Sequence, residues 1–178
     1  MAELYGGENI ITVPPSDIER FSLRGEDAAV LEKVGLPRSG SPFFTTQVEG
    51  GPEFLRIIDV VTRDDKKHRE VIIGGPPGDP GMRFSVSAYE GFVTLVQLQG
   101  TRPRGEVVNN NLTEFVEFLY QIRRHEILSA GDPAAARESL QDLSSHLKRI
   151  DPFSFERPDN WWAMVLDHLA STAGSQPA

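Results

Sequence analysis

Met82-Arg83-Phe84-Ser85-Val86-Ser87-Ala88-Tyr89-Glu90-Gly91-Phe92-Val93-Thr94-Leu95-Val96-Gln97-Leu98 carries the clearest pattern in the chain. Phe84, Val86 and Ala88 alternate with Arg83, Ser85 and Ser87, the period of two that sends successive side chains to opposite faces of a strand. Glu90-Gly91 is a turn pair, and Phe92 to Leu98 returns as the second arm of a predicted β-hairpin.

Strand signals continue towards the N-terminus. Gly74 to Gly81 holds three prolines and four glycines and is a loop. Before it, Val71-Ile72-Ile73 is a short strand and Arg63 to Glu70 a charged loop. Phe54 to Thr62 fits both helical and strand periods, and the run Ile57-Ile58, Val60-Val61-Thr62 favours strand. Phe43 to Val48 reads as a further strand, closed by Gly50-Gly51-Pro52. Earlier still, a helix at about 26–34 ends at Gly35 and Pro37. Ser16 and Glu19 fit a capping box for a short helix through Phe21, and residues 9–13 suggest a short β segment.

Towards the C-terminus the period becomes helical. Asn111 with Glu114 makes an N-cap and N3 pair, and Leu112, Phe115, Val116, Leu119 and Ile122 follow helical spacing to about residue 128. Asp132-Pro133 starts a second helix with a stripe of Leu140, Leu143, Leu147 and Ile150. Asp159 caps a third, lined by Trp162, Val165, Leu166 and Leu169. The order is two short helices, about five strands and three helices, which predicts one α+β domain over residues 1–171 with a tail at 172–178.

Composition narrows the function. The 178 residues carry 26 acidic and 18 basic side chains, a net charge of −8. That balance, with no long basic run, argues against direct nucleic-acid binding. No apolar run approaches the ~20 residues of a membrane span, and no signal peptide is recognisable at the N-terminus, so the expected location is cytoplasmic. Cysteine is absent, which removes disulfides, thiolate metal sites and a cysteine nucleophile.

Chemistry-bearing motifs are sparse. Asp64, Asp65 and His68 are the nearest approach to a ligand cluster, but four basic side chains share their stretch, and a solvated loop is the reading adopted. The glycine-rich loop at 74–81 has lost three backbone donors to proline and is no phosphate cradle. No Gly-x-Ser-x-Gly elbow occurs. Neither a catalytic residue, a metal site nor a cofactor is assigned, and the expectation is a non-enzyme. Trp162 shares the apolar face of its helix. Trp161 points about 100° away, either against a neighbouring helix or as a partly exposed anchor for a partner. Tyr89, beside the Glu90-Gly91 turn, admits the same two readings.

The order of parts resembles a known family. Leu31-Glu32-Lys33-Val34-Gly35-Leu36-Pro37, the phenylalanine-rich Phe43-Phe44, Val71-Ile72-Ile73-Gly74 and the hairpin through Gly91-Phe92-Val93 are similar to segments of the actinobacterial-type SUKH immunity proteins. So is Val108-Asn109-Asn110-Asn111-Leu112-Thr113-Glu114-Phe115-Val116-Glu117-Phe118-Leu119, which leads into the long helix, and so are Asp151-Pro152 and Trp161 to Leu166. The resemblance spans roughly residues 28–170. It implies a bent, mainly antiparallel sheet packed against N- and C-terminal helices. It also implies a protein that binds and neutralises a cognate bacterial toxin domain of a polymorphic toxin system, a nuclease or nucleic-acid deaminase. The alternative is a scaffold or regulatory module of the same fold that binds an endogenous protein.

A toxin acting on nucleic acid tends to be basic, and a −8 chain would be steered to it. The expected contact surface is therefore acidic and built from sheet-side loops, with Asp64, Asp65, Glu70, Asp79 and Glu90 as contacts and Tyr89 as anchor. Trp161 marks the alternative, helical side.

Overall fold

The predicted hairpin is the middle of a five-stranded antiparallel meander. The computed structural model describes residues 1–40, 42–61, 67–99 and 104–174. Short elements come first: α1 (Ala2–Tyr5), a 3-10 turn at Gly7–Asn9, β1 (Ile10–Ile11), and α2 (Pro15–Ile18) with a 3-10 turn at Glu19–Phe21. Next is α3 (Gly25–Ala29), which widens into a π turn at Val30–Val34. β1 pairs with β2 (Leu36–Pro37), and β3 (Ser39–Gly40) pairs with β4 (Phe44–Thr45).

The main sheet follows, with β5 (Ile57–Val61), β6 (Lys67–Gly74), β7 (Met82–Ser87), β8 (Val93–Gln97) and β9 (Arg104–Asn109). Its order is β5-β6-β7-β8-β9, with every neighbour antiparallel. The chain closes with α4 (Leu112–Leu128), α5 (Pro133–Ile150), a 3-10 turn at Phe153–Phe155 and α6 (Trp161–Gly174).

Alternation decides what the sheet buries. Val71 and Ile73 of β6, Phe84 and Val86 of β7, Val93 and Leu95 of β8 and Val108 of β9 join one core with Phe115, Phe118, Leu147 and Trp162 of the helices. Aromatic rings form its centre. Phe84 packs against Phe44, Phe115 and Trp161, and Trp162 against Phe115 and Phe118, with centroids 5.2–5.9 Å apart. Glu70, Ile72, Arg83, Ser85 and Ser87 occupy the intervening positions, so they belong to the opposite face.

Several local expectations are corrected. Phe43–Val48 is not a strand of the main sheet: only Phe44–Thr45 pairs, Phe43 and Phe44 are both buried, and Thr45 exchanges backbone bonds of 2.9 Å with Gly75. That crossing is tight, since a Cβ on Gly74 (φ 151°) would sit 2.5 Å from the Thr45 carbonyl oxygen and 2.6 Å from the Phe44 ring. The fifth strand is instead β9, an edge strand whose Arg104-Gly105-Glu106 start carries no apolar signal. β6 begins at Lys67, so His68, Arg69 and Glu70 lie in a strand and not in a loop.

At the helix ends, Asn111 caps α4 by accepting from the Glu114 N–H at 2.8 Å, and Asp132 caps α5 by accepting from Ala134. Ser16 makes no capping bond. Asp159 does not cap α6: it pairs with Arg157 at 3.0 Å, and the helix starts after Asn160. α6 extends to Gly174, and the rest of the tail expected at 172–178 lies outside the described residues.

Candidate functional site

The β7–β8 turn is an exposed point of the sheet held by several bonds. Ser87 donates its N–H to Phe92, Gly91 donates to Ser87, and Ala88 donates to Arg69 of the neighbouring strand, each at 2.9 Å. Gly91 (φ 78°) lets the Arg24 guanidinium lie where a Cβ would be, 2.1 Å from its ideal position. Arg24 in turn grips the fully buried Asp27 at 2.8 Å, which raises the arginine pKa, and Asp27 accepts the backbone N–H of Leu112 at 3.0 Å. The turn is thereby tied through α3 to the start of α4. Such bracing lets a turn present side chains with little ordering cost on binding.

On this turn Tyr89 is 65% exposed, more than any other large apolar or aromatic side chain among the described residues, and Phe92 is also exposed. Glu90 accepts from the Ser87 hydroxyl at 2.7 Å and lies 3.1 Å from His68 Nδ1. One strand over, Glu70 is only 7% exposed and accepts from the Ser85 hydroxyl at 2.8 Å. Burial pushes the Glu70 carboxyl above its ordinary range, an effect the Ser85 bond and His68 partly oppose.

The sequence-derived candidates therefore separate. Tyr89 and Glu90 are adjacent and displayed. Glu70 sits close by, since it pairs with Ser87, but it is an interior strand residue and not a loop contact. Asp79 belongs to the other end of β7, about 20 Å away at ~3.3 Å per residue. Its carboxylate accepts the Gly81 N–H at 2.8 Å and shapes its own loop. Asp64 and Asp65 lie outside the described residues. Trp161 is half-buried on the helix side, with its ring edge-on to Phe84 of the sheet and its backbone N–H donated to a Glu106 carboxylate oxygen at 2.8 Å. The ring thus packs against the core formed by sheet and helices.

Sequence reasoning missed Phe92, His68 as the partner of Glu90, and the brace from Arg24. The proximity of Arg24 to Gly91 is a contact across 67 residues that no local pattern signals. Chemically, the arrangement offers an aromatic ring and a carboxylate held on a stiff turn, which suits recognition of a protein surface. Among the described residues no three histidine, aspartate or glutamate side chains gather as a metal site, and no helix is long and apolar enough to cross a membrane.

Comparison with protein families places this architecture. The SUKH-4 immunity protein family matches residues 1–168. The chain belongs to that family. The match takes in the N-terminal turns, the whole meander and the helices up to His168 in α6. No curated protein and no solved structure matches the chain. Membership in the family supports an immunity role and, with it, a toxin as the partner.

Proposed function

We propose that the protein neutralises a basic toxin domain, a nuclease or nucleic-acid deaminase, by covering it with the surface around the β7–β8 turn. Tyr89 is the observation that carries the choice of surface: a tyrosine 65% exposed beside a carboxylate, on a turn fixed from both the sheet and the helices. The net charge of −8 supports the choice of partner, because an enzyme that handles nucleic acid must offer cations to phosphates. In this reading Glu90 speeds encounter and Tyr89, once desolvated, slows dissociation. Inhibition follows from occupying the toxin's phosphate-binding surface, with no reaction catalysed by this chain. Asp64 and Asp65 are proposed to extend the acidic rim, since the strands that flank them, β5 and β6, end at Val61 and Lys67 on the same side of the sheet as the turn. The protein is proposed to act in the cytoplasm, where such a toxin would meet its substrate.

Co-expression with a cognate toxin domain tests the proposal. Restored growth with a stable complex is the expected result. Growth arrest despite soluble expression of both, with capture of endogenous proteins instead, would overturn it in favour of a scaffold or regulatory module.

A further inference from the structure

A groove lies between α5 and α6, lined by none of the residues of the β7–β8 turn. It has a volume of about 730 Å³ and an apolar floor that includes Leu140, Phe155, Ala163 and Leu166. Arg137 and Lys148 stand at the two ends of the α5 wall, eleven residues and therefore about 16 Å apart along the helix. Neither is in an ion pair among the described residues, and the Lys148 ammonium lies 5.9 Å from the centre of the Phe155 ring. Arg157, beyond the end of α5, is paired with Asp159. The other wall carries Glu156 and Asp167.

We propose that this groove holds an amphipathic helix of a partner protein, with leucine-sized anchors along one face and a carboxylate near each end. The length of the α5 wall corresponds to three helical turns, and an apolar trough between two helices is a recurring seat for a third. The charges set the pattern: carboxylates fit where Arg137 and Lys148 stand unpaired, whereas a segment acidic throughout would meet Glu156 and Asp167. The site is separate from the β7–β8 turn and does not depend on the role given to that turn.

The test is titration of the ¹⁵N-labelled full chain with a synthetic helical peptide. The peptide carries leucines at i and i+3 and glutamates at i−4 and i+7, eleven residues apart like Arg137 and Lys148. A second peptide has lysines in place of the glutamates. The expected result is saturable amide shifts at Leu140, Ala163 and Leu166 with the first peptide. Binding should be about tenfold weaker in R137E/K148E and intermediate in R137Q/K148Q, with both spectra otherwise native. Equal binding of the two peptides, shifts outside α5 and α6, or no shift in a folded spectrum would each overturn the proposal.

Discussion

Arg83 is the residue whose removal says most about how the outer face of the sheet is held. Its side chain is fully buried. It makes no salt bridge among the described residues and is surrounded by backbone carbonyls. Nε donates to Pro52 at 2.9 Å, one terminal nitrogen to Met82 at 2.7 Å, and the other to Glu49 at 2.6 Å and Gly50 at 3.1 Å. Longer contacts reach Pro80 and Asp79. One guanidinium thus pins the 49–52 segment and the 79–82 loop onto β7. Burial costs the cation, and its pKa is held below the usual arginine range.

Arg83→Met keeps the length and apolar stem but deletes every donor. Charge-assisted bonds are worth ~1.5–3 kcal/mol each, and four are shorter than 3.2 Å. Recovered desolvation of the guanidinium and water reaching some carbonyls offset much of that sum. The expected net loss is about 3–5 kcal/mol, or roughly 10 °C in Tm for a domain of this size. Arg83→Lys should lose nearly as much, because a point ammonium cannot span carbonyls on two segments. Urea unfolding followed by circular dichroism measures the loss, and limited proteolysis within 49–53 should accelerate in both variants. A Met variant within about 1 kcal/mol of the parent, with unchanged proteolysis, would show that the carbonyls do not need the arginine.

Two further outcomes follow from buried polar groups. Trp162 donates its indole N–H to Asn109 at 2.8 Å, Asn109 donates to Asp151 at 3.2 Å and the Ser154 hydroxyl to Asp151 at 2.6 Å, so Asp151→Ala should cost about 3 kcal/mol. A shift in Trp fluorescence and a lowered urea midpoint should accompany it, and a loss under about 1 kcal/mol would refute a connected network. His125 is buried between Ser129 and Ser139, and burial lowers its pKa below 6.5. Its neutral form is favoured in the fold, so its contribution is complete above pH 6.5 and is lost as pH falls from there through the folded pKa. Glu70 and Glu126, both raised by burial, pull the opposite way as pH falls towards 4.5. His125→Gln should therefore flatten the decline just below pH 6.5, and an unchanged slope would sink the assignment.

Much of the architecture was legible because local rules and tertiary packing agree in its centre. The alternation at Phe84 and Val86, the Glu90-Gly91 turn and the caps at Asn111 and Asp132 each appear where local chemistry puts them. Failures fall where partners are distant. β9 is a strand because β8 pairs with it, with only Val107 and Val108 as apolar signal. Lys67 to Glu70 carry charges typical of a loop yet pair with β5 and β7. Arg83 reads as a solvent-facing strand residue, yet the 49–52 segment and the 79–82 loop fold over it. At the candidate site, Tyr89 and Glu90 were visible from the turn itself. The internal position of Glu70 depends on pairing with β5 and β7, which composition does not encode, whereas the separation of Asp79 follows from the length of β7 alone.

Neutralisation through the turn bearing Tyr89 and Glu90 is tested by the binding kinetics of the purified chain with its cognate toxin domain, compared among the parent, Tyr89→Ala and Glu90→Gln at low and moderate salt. Tyr89→Ala is expected to cost about 2 kcal/mol, roughly thirtyfold, almost all as faster dissociation. Glu90→Gln should slow association several-fold at low salt, a difference that shrinks as salt rises. Tight binding left unchanged in both folded variants would contradict the account.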